Sequence, residues 1–428
     1  MKILKLNKDT QKLLADELKK RSTGRMRKYE DAVDEIINNV RENGDKAIFE
    51  YTKKFDGIDM NAENVVVRDD EIEKAYNEIG DELLGVIRKS LENIRSFHEK
   101  QKQNSWFTSE DGIFLGQKIQ PLARVGVYVP GGKAVYPSSV LMNVAPAKVA
   151  GVGEIIMTTP AGKDGSLNPA VLVAAKEAGV DKIYKVGGAQ AIAALAYGTE
   201  TIPKADKIVG PGNIYVALAK KAVFGNVSID SVAGPSEILV LADESANPKY
   251  VAADMLSQAE HDEMASAILI TTSESLADKV QDEIKLLLER LPRTEIIRAS
   301  LENCGYIMIA ETMEDAIDAA NSVASEHLEV LTKNPLETMT KIKNAGAIFL
   351  GEYSSEPLGD YFAGPNHILP TNGTAKFFSP LSVDDFVKKS SVIYYSKDAL
   401  KEVHQDIEKF ARAEGLYAHE NSIKTRFE

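Results

Sequence analysis

Apolar positions in the first hundred residues recur at helical spacing. Val33, Ile36, Ile37 and Val40 fall at i, i+3, i+4 and i+7, one face of an amphipathic helix, and Asn43-Gly44 follows as a stop signal. Ile72, Tyr76, Ile79, Leu83, Val86, Ile87, Leu91 and Ile94 draw a second stripe. Charged residues fill the gaps, so the chain to about residue 105 is predicted helical, with stripes that face a core. From Trp106 the texture changes to apolar runs separated by glycine turns and alanine-rich segments. Residues 125–129, 154–158 and 182–186 read as strands, and 170–179 and 189–197 as helices between them. A second set follows, with strands at 238–241, 267–271, 306–309, 328–331 and 347–350 and helices at 250–260, 276–288 and 313–324. Strand, helix, strand at this spacing predicts βαβ units and parallel sheets. The tail from about Leu381 to Glu428 is charged and predicted helical.

A chain of 428 residues has room for two or three domains. Its formal net charge of −13, without a dense basic cluster, argues against a nucleic-acid surface. Cys304 is the single cysteine, which excludes an intramolecular disulfide and any CxxC zinc or redox motif. A metal site would therefore use histidine and oxygen ligands. The first eight residues hold no apolar stretch of signal-peptide length, and no run approaches the ~18 apolar residues of a membrane span. The expectation is a cytoplasmic protein without membrane contact.

Four of the six histidines lie in short polar motifs: Gln258-Ala259-Glu260-His261-Asp262, Ser325-Glu326-His327, the run from Gly359-Asp360 to Gly364-Pro365-Asn366-His367, and Glu414 to His419. His98 and His404 lie in charged helical stretches and are predicted on the surface. Gln258 and His261, three apart on a helix, project from neighbouring positions. With Asp360 and His419 they would form one anionic and three neutral ligands, a set zinc accepts; taken alone, the Gln-x-x-His pair is more often a plain helix surface than a metal site. Glu326-His327 stands where a helix gives way to a strand, and is either an acid–base pair or a helix-end histidine held by the macrodipole. Ser236, after Gly234-Pro235, is a turn residue that could orient a substrate, and His367 and Glu414 could bind its polar groups, though each alone could equally be a surface residue. Val129-Pro130-Gly131-Gly132, Val186-Gly187-Gly188-Ala189-Gln190 and Gly210-Pro211-Gly212-Asn213 read as turns first and cofactor loops second. None matches G-x-G-x-x-G.

Taken together, Ser231 to Glu237, Ser257 to Asp262, Ser325-Glu326-His327, Gly359-Asp360 with Gly364 to His367, and Glu414 to His419 resemble the histidinol dehydrogenase family, in order and along essentially the whole chain. The resemblance implies two Rossmann-like α/β domains with incomplete parallel sheets and helical N- and C-terminal extensions. Expected boundaries are 1–24 for the N-terminal extension, 25–127 with 237–381 for the first domain, 128–236 for the second and 382–428 for the tail. It implies oxidation of L-histidinol through the aldehyde to L-histidine, the last step of histidine biosynthesis, with two NAD reduced. Gln258, His261, Asp360 and His419 would hold one zinc per subunit and meet the substrate, as would Ser236, His327, His367 and Glu414. His327 would be the base of the alcohol step, and Glu326 would activate water for the aldehyde step. Tyr128, Gln190 and Asn213 would contact NAD. The family is a homodimer with a shared active site, so His419 would come from the other subunit. A related dehydrogenase of another small alcohol, or a zinc hydrolase using Glu326-His327 to activate water, are the alternatives.

Overall fold

A computed structural model describes residues 1–23, 27–131 and 136–428. Gly132 of the first glycine motif, and residues 24 and 25 at an expected domain boundary, lie outside them. The chain divides into two compact units, Met1–Gln101 with Leu122–Phe386, and Lys102–Pro121 with Val387–Glu428.

The first unit contains two all-parallel sheets. The smaller has five strands in the spatial order Lys182–Tyr184, Glu154–Thr158, Arg124–Tyr128, Lys207–Val209 and Ser228–Ile229. The chain starts at the central strand, moves outward twice, and then returns to the opposite side of that strand. This reversal is a topological switch point, and the crevice at the carboxyl ends of the flanking strands is where open α/β sheets take ligands. The larger sheet runs Lys2–Lys5, Gly305–Ile309, Ser266–Thr271, Glu237–Ala242, His327–Leu331 and Ala347–Leu350. All six residues of Glu237–Ala242 and of Ser266–Thr271 are buried, as expected of parallel strands covered on both faces. Every strand predicted from an apolar run is present, within two residues at either end, so the α/β expectation is borne out.

Other elements differ from the sequence reading. Lys2–Lys5 is an edge strand whose parallel ladder to Gly305–Ile309 pairs Ile3 with Ile307; four residues are too few to display a period. The helix Arg27–Asp56 does not stop at Asn43-Gly44 but breaks there, with Gly44 at φ 53° and ψ −132°, and then resumes. The Glu200 carboxylate accepts the Asp45 N–H at 2.8 Å, placing an anion at the start of the second segment, where the helix dipole favours one. His98 is not a surface residue. On the helix Asp69–Glu99 it extends the buried series Ile87, Leu91, Ile94 and is itself 0% exposed. Its Nδ1 bonds Gln101 Oε1 at 2.7 Å, and burial pushes its pKa down. His404 is half-buried against Glu408.

The second unit is an antiparallel sheet ordered Val387–Tyr395, Ile113–Pro121, Trp106–Glu110, followed by the helices Lys397–Ala413 and Tyr417–Lys424. The tail thus opens with a nine-residue strand that the helical reading did not place. No helix among the described residues is long and apolar enough to cross a membrane.

Candidate active site

His327 opens the strand His327–Leu331 beside Glu237, which opens Glu237–Ala242; the register pairs His327 with Ile238. The residues singled out at this edge therefore sit at the amino ends of the large sheet's strands, opposite the edge where such sheets usually bind ligands. Glu237 fixes both members of the pair through its backbone. Its N–H donates to Glu326 Oε2 at 2.9 Å, and its carbonyl lies 2.9 Å from His327 Nδ1. A carbonyl only accepts, so Nδ1 carries the proton and Nε2 presents a lone pair. That Nε2 is buried and has no hydrogen-bond partner. Burial holds the His327 pKa down at about 4, so the ring is neutral at physiological pH. Burial pushes the Glu326 carboxyl well above its ordinary range, with the Glu237 N–H bond opposing it. The two side chains stand 3.7 Å apart.

Ligating atoms of His327, Glu356 and Asp360 lie within 4.8 Å of one another. Glu356 and Asp360 are four apart on the short helix Glu356–Tyr361, so both carboxyls face one side. Glu356 is raised to about 8, by burial first and by Asp360 second, with a side-chain hydrogen bond between the two. That shared hydrogen bond ties the two carboxyls together. The Ser257 hydroxyl reaches Glu356 Oε2 at 3.4 Å, which brings the end of the helix Pro248–Ala259 to this place. The next residue, Gln258, is fully buried, and neither atom of its amide has a partner. A buried amide left with donors and acceptors unmet is costly unless something else binds it. His261, itself exposed, lies close enough to His327 and His367 to couple electrostatically with both. A buried imidazole nitrogen, a bare amide and carboxylates form the N/O donor set that suits zinc.

His367 is also held in one tautomer. Its Nδ1 lies 3.1 Å from the Asp360 carbonyl, which leaves Nε2 to accept from the Ser139 hydroxyl at 3.3 Å. Ser139 lies in the first turn of the helix Pro137–Ala150, which follows the small sheet's central strand. The Asp360 region is thereby linked to the carboxyl edge of that sheet. Ser236 is half-buried and immediately precedes Glu237. Glu414 and His419 belong to the second unit, where both are exposed.

Tyr128, Gln190 and Asn213 line one cavity of about 1120 Å³, with Pro130, Gly131 and Gly188. It gathers the loops that follow the strands at the switch point. Tyr128 is buried, its hydroxyl accepts the Gly188 N–H at 3.1 Å, and burial pushes its pKa to about 12. Asn213 caps the helix Ile214–Val223, accepting from the N–H groups of Tyr215 and Val216. Gly210 has φ 118°, and a Cβ there would run into the Tyr128 carbonyl, so only glycine permits this approach of the two loops. Two buried side chains grip the same glycine. Lys220 donates to the Gly210 carbonyl at 2.9 Å, Asp230 accepts the Gly210 N–H at 2.8 Å, and the two form an ion pair.

Sequence reasoning missed Glu356, Glu237 and the Lys220–Asp230 pair. The Glu356 signal was its four-residue spacing from Asp360. Glu237 acts through its backbone, and the ion pair only through its burial, neither of which residue type reveals.

A large cavity at the switch point of one parallel sheet, with a buried imidazole–carboxylate group at the edge of another, has the parts of an α/β dehydrogenase. The family model described as histidinol dehydrogenase matches residues 19–427. A histidinol dehydrogenase of Clostridium acetobutylicum is 60% identical over 393 residues, covering 92% of this chain and 91% of its own. One of Aquifex aeolicus is 56% identical over 428 residues, covering 100% and 99%. The crystal structure of histidinol dehydrogenase from Elizabethkingia anophelis superposes with a TM-score of 0.94 at 38% identity, covering 100% of this chain and 98% of that one. The chain belongs to the histidinol dehydrogenase family and is an oxidoreductase of histidine biosynthesis.

Proposed function

We propose that this protein oxidises L-histidinol through L-histidinaldehyde to L-histidine with zinc and two NAD, as a cytoplasmic homodimer whose active sites take residues from both chains. In this reading the cavity at the small sheet takes the nucleotide, through contacts from residues 128–236, and segment 237–381 carries the catalytic residues. Gln258, His261 and Asp360 would hold the zinc with His419 of the second chain, and Glu356 would orient Asp360. Bound there, zinc supplies a fixed Lewis-acid anchor for the amine and imidazole of the substrate. Supporting this is the buried, unpartnered state of the Gln258 amide and of His327 Nε2, in a neighbourhood that also holds Asp360.

His327 is ready to accept a proton, because the Glu237 carbonyl fixes its tautomer and burial keeps it neutral. It would take the hydroxyl proton, and NAD held in the cavity would accept the hydride. Glu326 begins with a raised pKa; once ionised it is a strong base, suited to deprotonating the water that adds to the aldehyde. Ser236, His367 and Glu414 would hold the substrate's polar ends, while Tyr128, Gln190 and Asn213 would contact NAD. Burial of His327 and Glu326 keeps bulk water from the reacting carbon between the two steps.

The test is NADH formed per L-histidinol consumed, by zinc-loaded and by chelated protein. Two NADH per substrate, lost on chelation, is the expected result. One NADH would mean release of the aldehyde, and none would refute the substrate.

A further inference from the structure

One carboxylate lining the cavity at the small sheet has a buried oxygen with no hydrogen-bond partner among the described residues. Asp56 ends the helix Arg27–Asp56 and lines the cavity beside Tyr128. Its Oδ2 is buried with no hydrogen bond, and no ion pair joins Asp56 among the described residues. The adjacent Lys54 lies over the rings of Tyr51 and Phe55, at 6.0 and 5.4 Å from their centroids. Burial raises the Asp56 pKa, as it does for a carboxylate without donors, and its charge reaches Tyr128.

Such a group is costly unless donors arrive with a ligand. A carboxylate only accepts, and its two oxygens match a pair of vicinal hydroxyls, each of which can donate. It repels a phosphate at the same position. Resting on the reading that this cavity takes a nicotinamide dinucleotide, we infer that Asp56 is a specificity-determining residue that binds the ribose diol of NAD and excludes a 2′-phosphorylated cofactor. Dinucleotide folds with the glycine fingerprint place an acid for this purpose about 20 residues after it. Here the fingerprint is absent, and the acid comes instead from a helix that precedes the whole sheet.

The experiment compares kcat/KM for NAD and NADP in the wild-type holoenzyme, Asp56→Asn and Asp56→Ser, with NAD binding measured separately by calorimetry and folding checked by thermal melts. The wild type should prefer NAD. Both variants should lose that preference by about tenfold or more, with the larger share of the change in KM for NAD; either variant suffices if the other does not fold. If the wild type binds and reduces NAD while the preference in the variants stays within about twofold, Asp56 is not the selector and the NAD reading stands. If the wild type neither binds nor reduces NAD, the reading and the inference fall together.

Discussion

His327 is neutral because of its burial, which outweighs Asp360 and the Glu237 carbonyl that favour the charged ring, and that burial has a consequence for stability. A histidine whose folded pKa lies near 4 binds fewer protons folded than unfolded, where its value is about 6.5. Folding is therefore undisturbed above pH 6.5 and is progressively penalised as pH falls from 6.5 to 4, by up to about 3 kcal/mol. His327→Gln in metal-free protein should narrow its stability gap to the wild type, or reverse it, over that interval, as read by urea unfolding at pH 7 and 4.5; parallel curves would mean that His327 protonates freely in the fold. Glu326 acts at the same scale. Glu326→Gln keeps the size and the Glu237 N–H contact but cannot ionise, so it should slow oxidation of supplied histidinaldehyde by about 100-fold or more and alcohol oxidation less. Equal losses would remove the division of labour between the two residues. Both were legible in the sequence as residue types. The backbone of Glu237 that orients them was not, and neither was the burial of His98, because charged neighbours mask an inward-facing position.

The turn after Lys207–Val209 leads to Asn213 in the cavity lining and is gripped by a buried ion pair. Lys220 and Asp230 hold Gly210 from both sides, with side chains only 2% and 4% exposed. Lys220→Met leaves the buried Asp230 carboxylate without its counter-charge, which should cost about 3–5 kcal/mol. Lys220→Met with Asp230→Asn should recover much of that, because neither charge then remains. If the double variant keeps a raised KM for NAD after its stability is restored, the pair positions the loop as well as the core; an unaltered KM would confine it to folding. Elements of this kind set the limit of sequence reading here. Strands such as Glu154–Thr158, apolar or β-branched from Ile155 onward, were visible. Val387–Tyr395 was not, since most of its positions are exposed and its partner Ile113–Pro121 lies far back in the chain. The antiparallel sheet they form exists through a pairing between distant segments, and no local period announces it.

For the whole molecule, the proposal that each site takes His419 from a second chain has a direct test. It and Glu414 lie exposed on a compact unit separate from the one carrying Gln258, His327 and Asp360. That second unit also exposes Ile393, Phe410 and Tyr417, at 74%, 73% and 68%, apolar surface of the sort that another chain covers. If each site combines His327 of one chain with His419 of the other, two inactive variants can complement each other. In a hybrid of His327→Ala with His419→Ala, one site carries both lesions and its twin carries none. Random exchange makes about half the dimers hybrids, each with one intact site in two, so activity should return to about a quarter of wild type. If each site is built from a single chain, every site in the mixture carries one lesion and nothing returns. Native mass spectrometry of the mixture would confirm that exchange has occurred, and the recovered fraction would then show whether sites are shared.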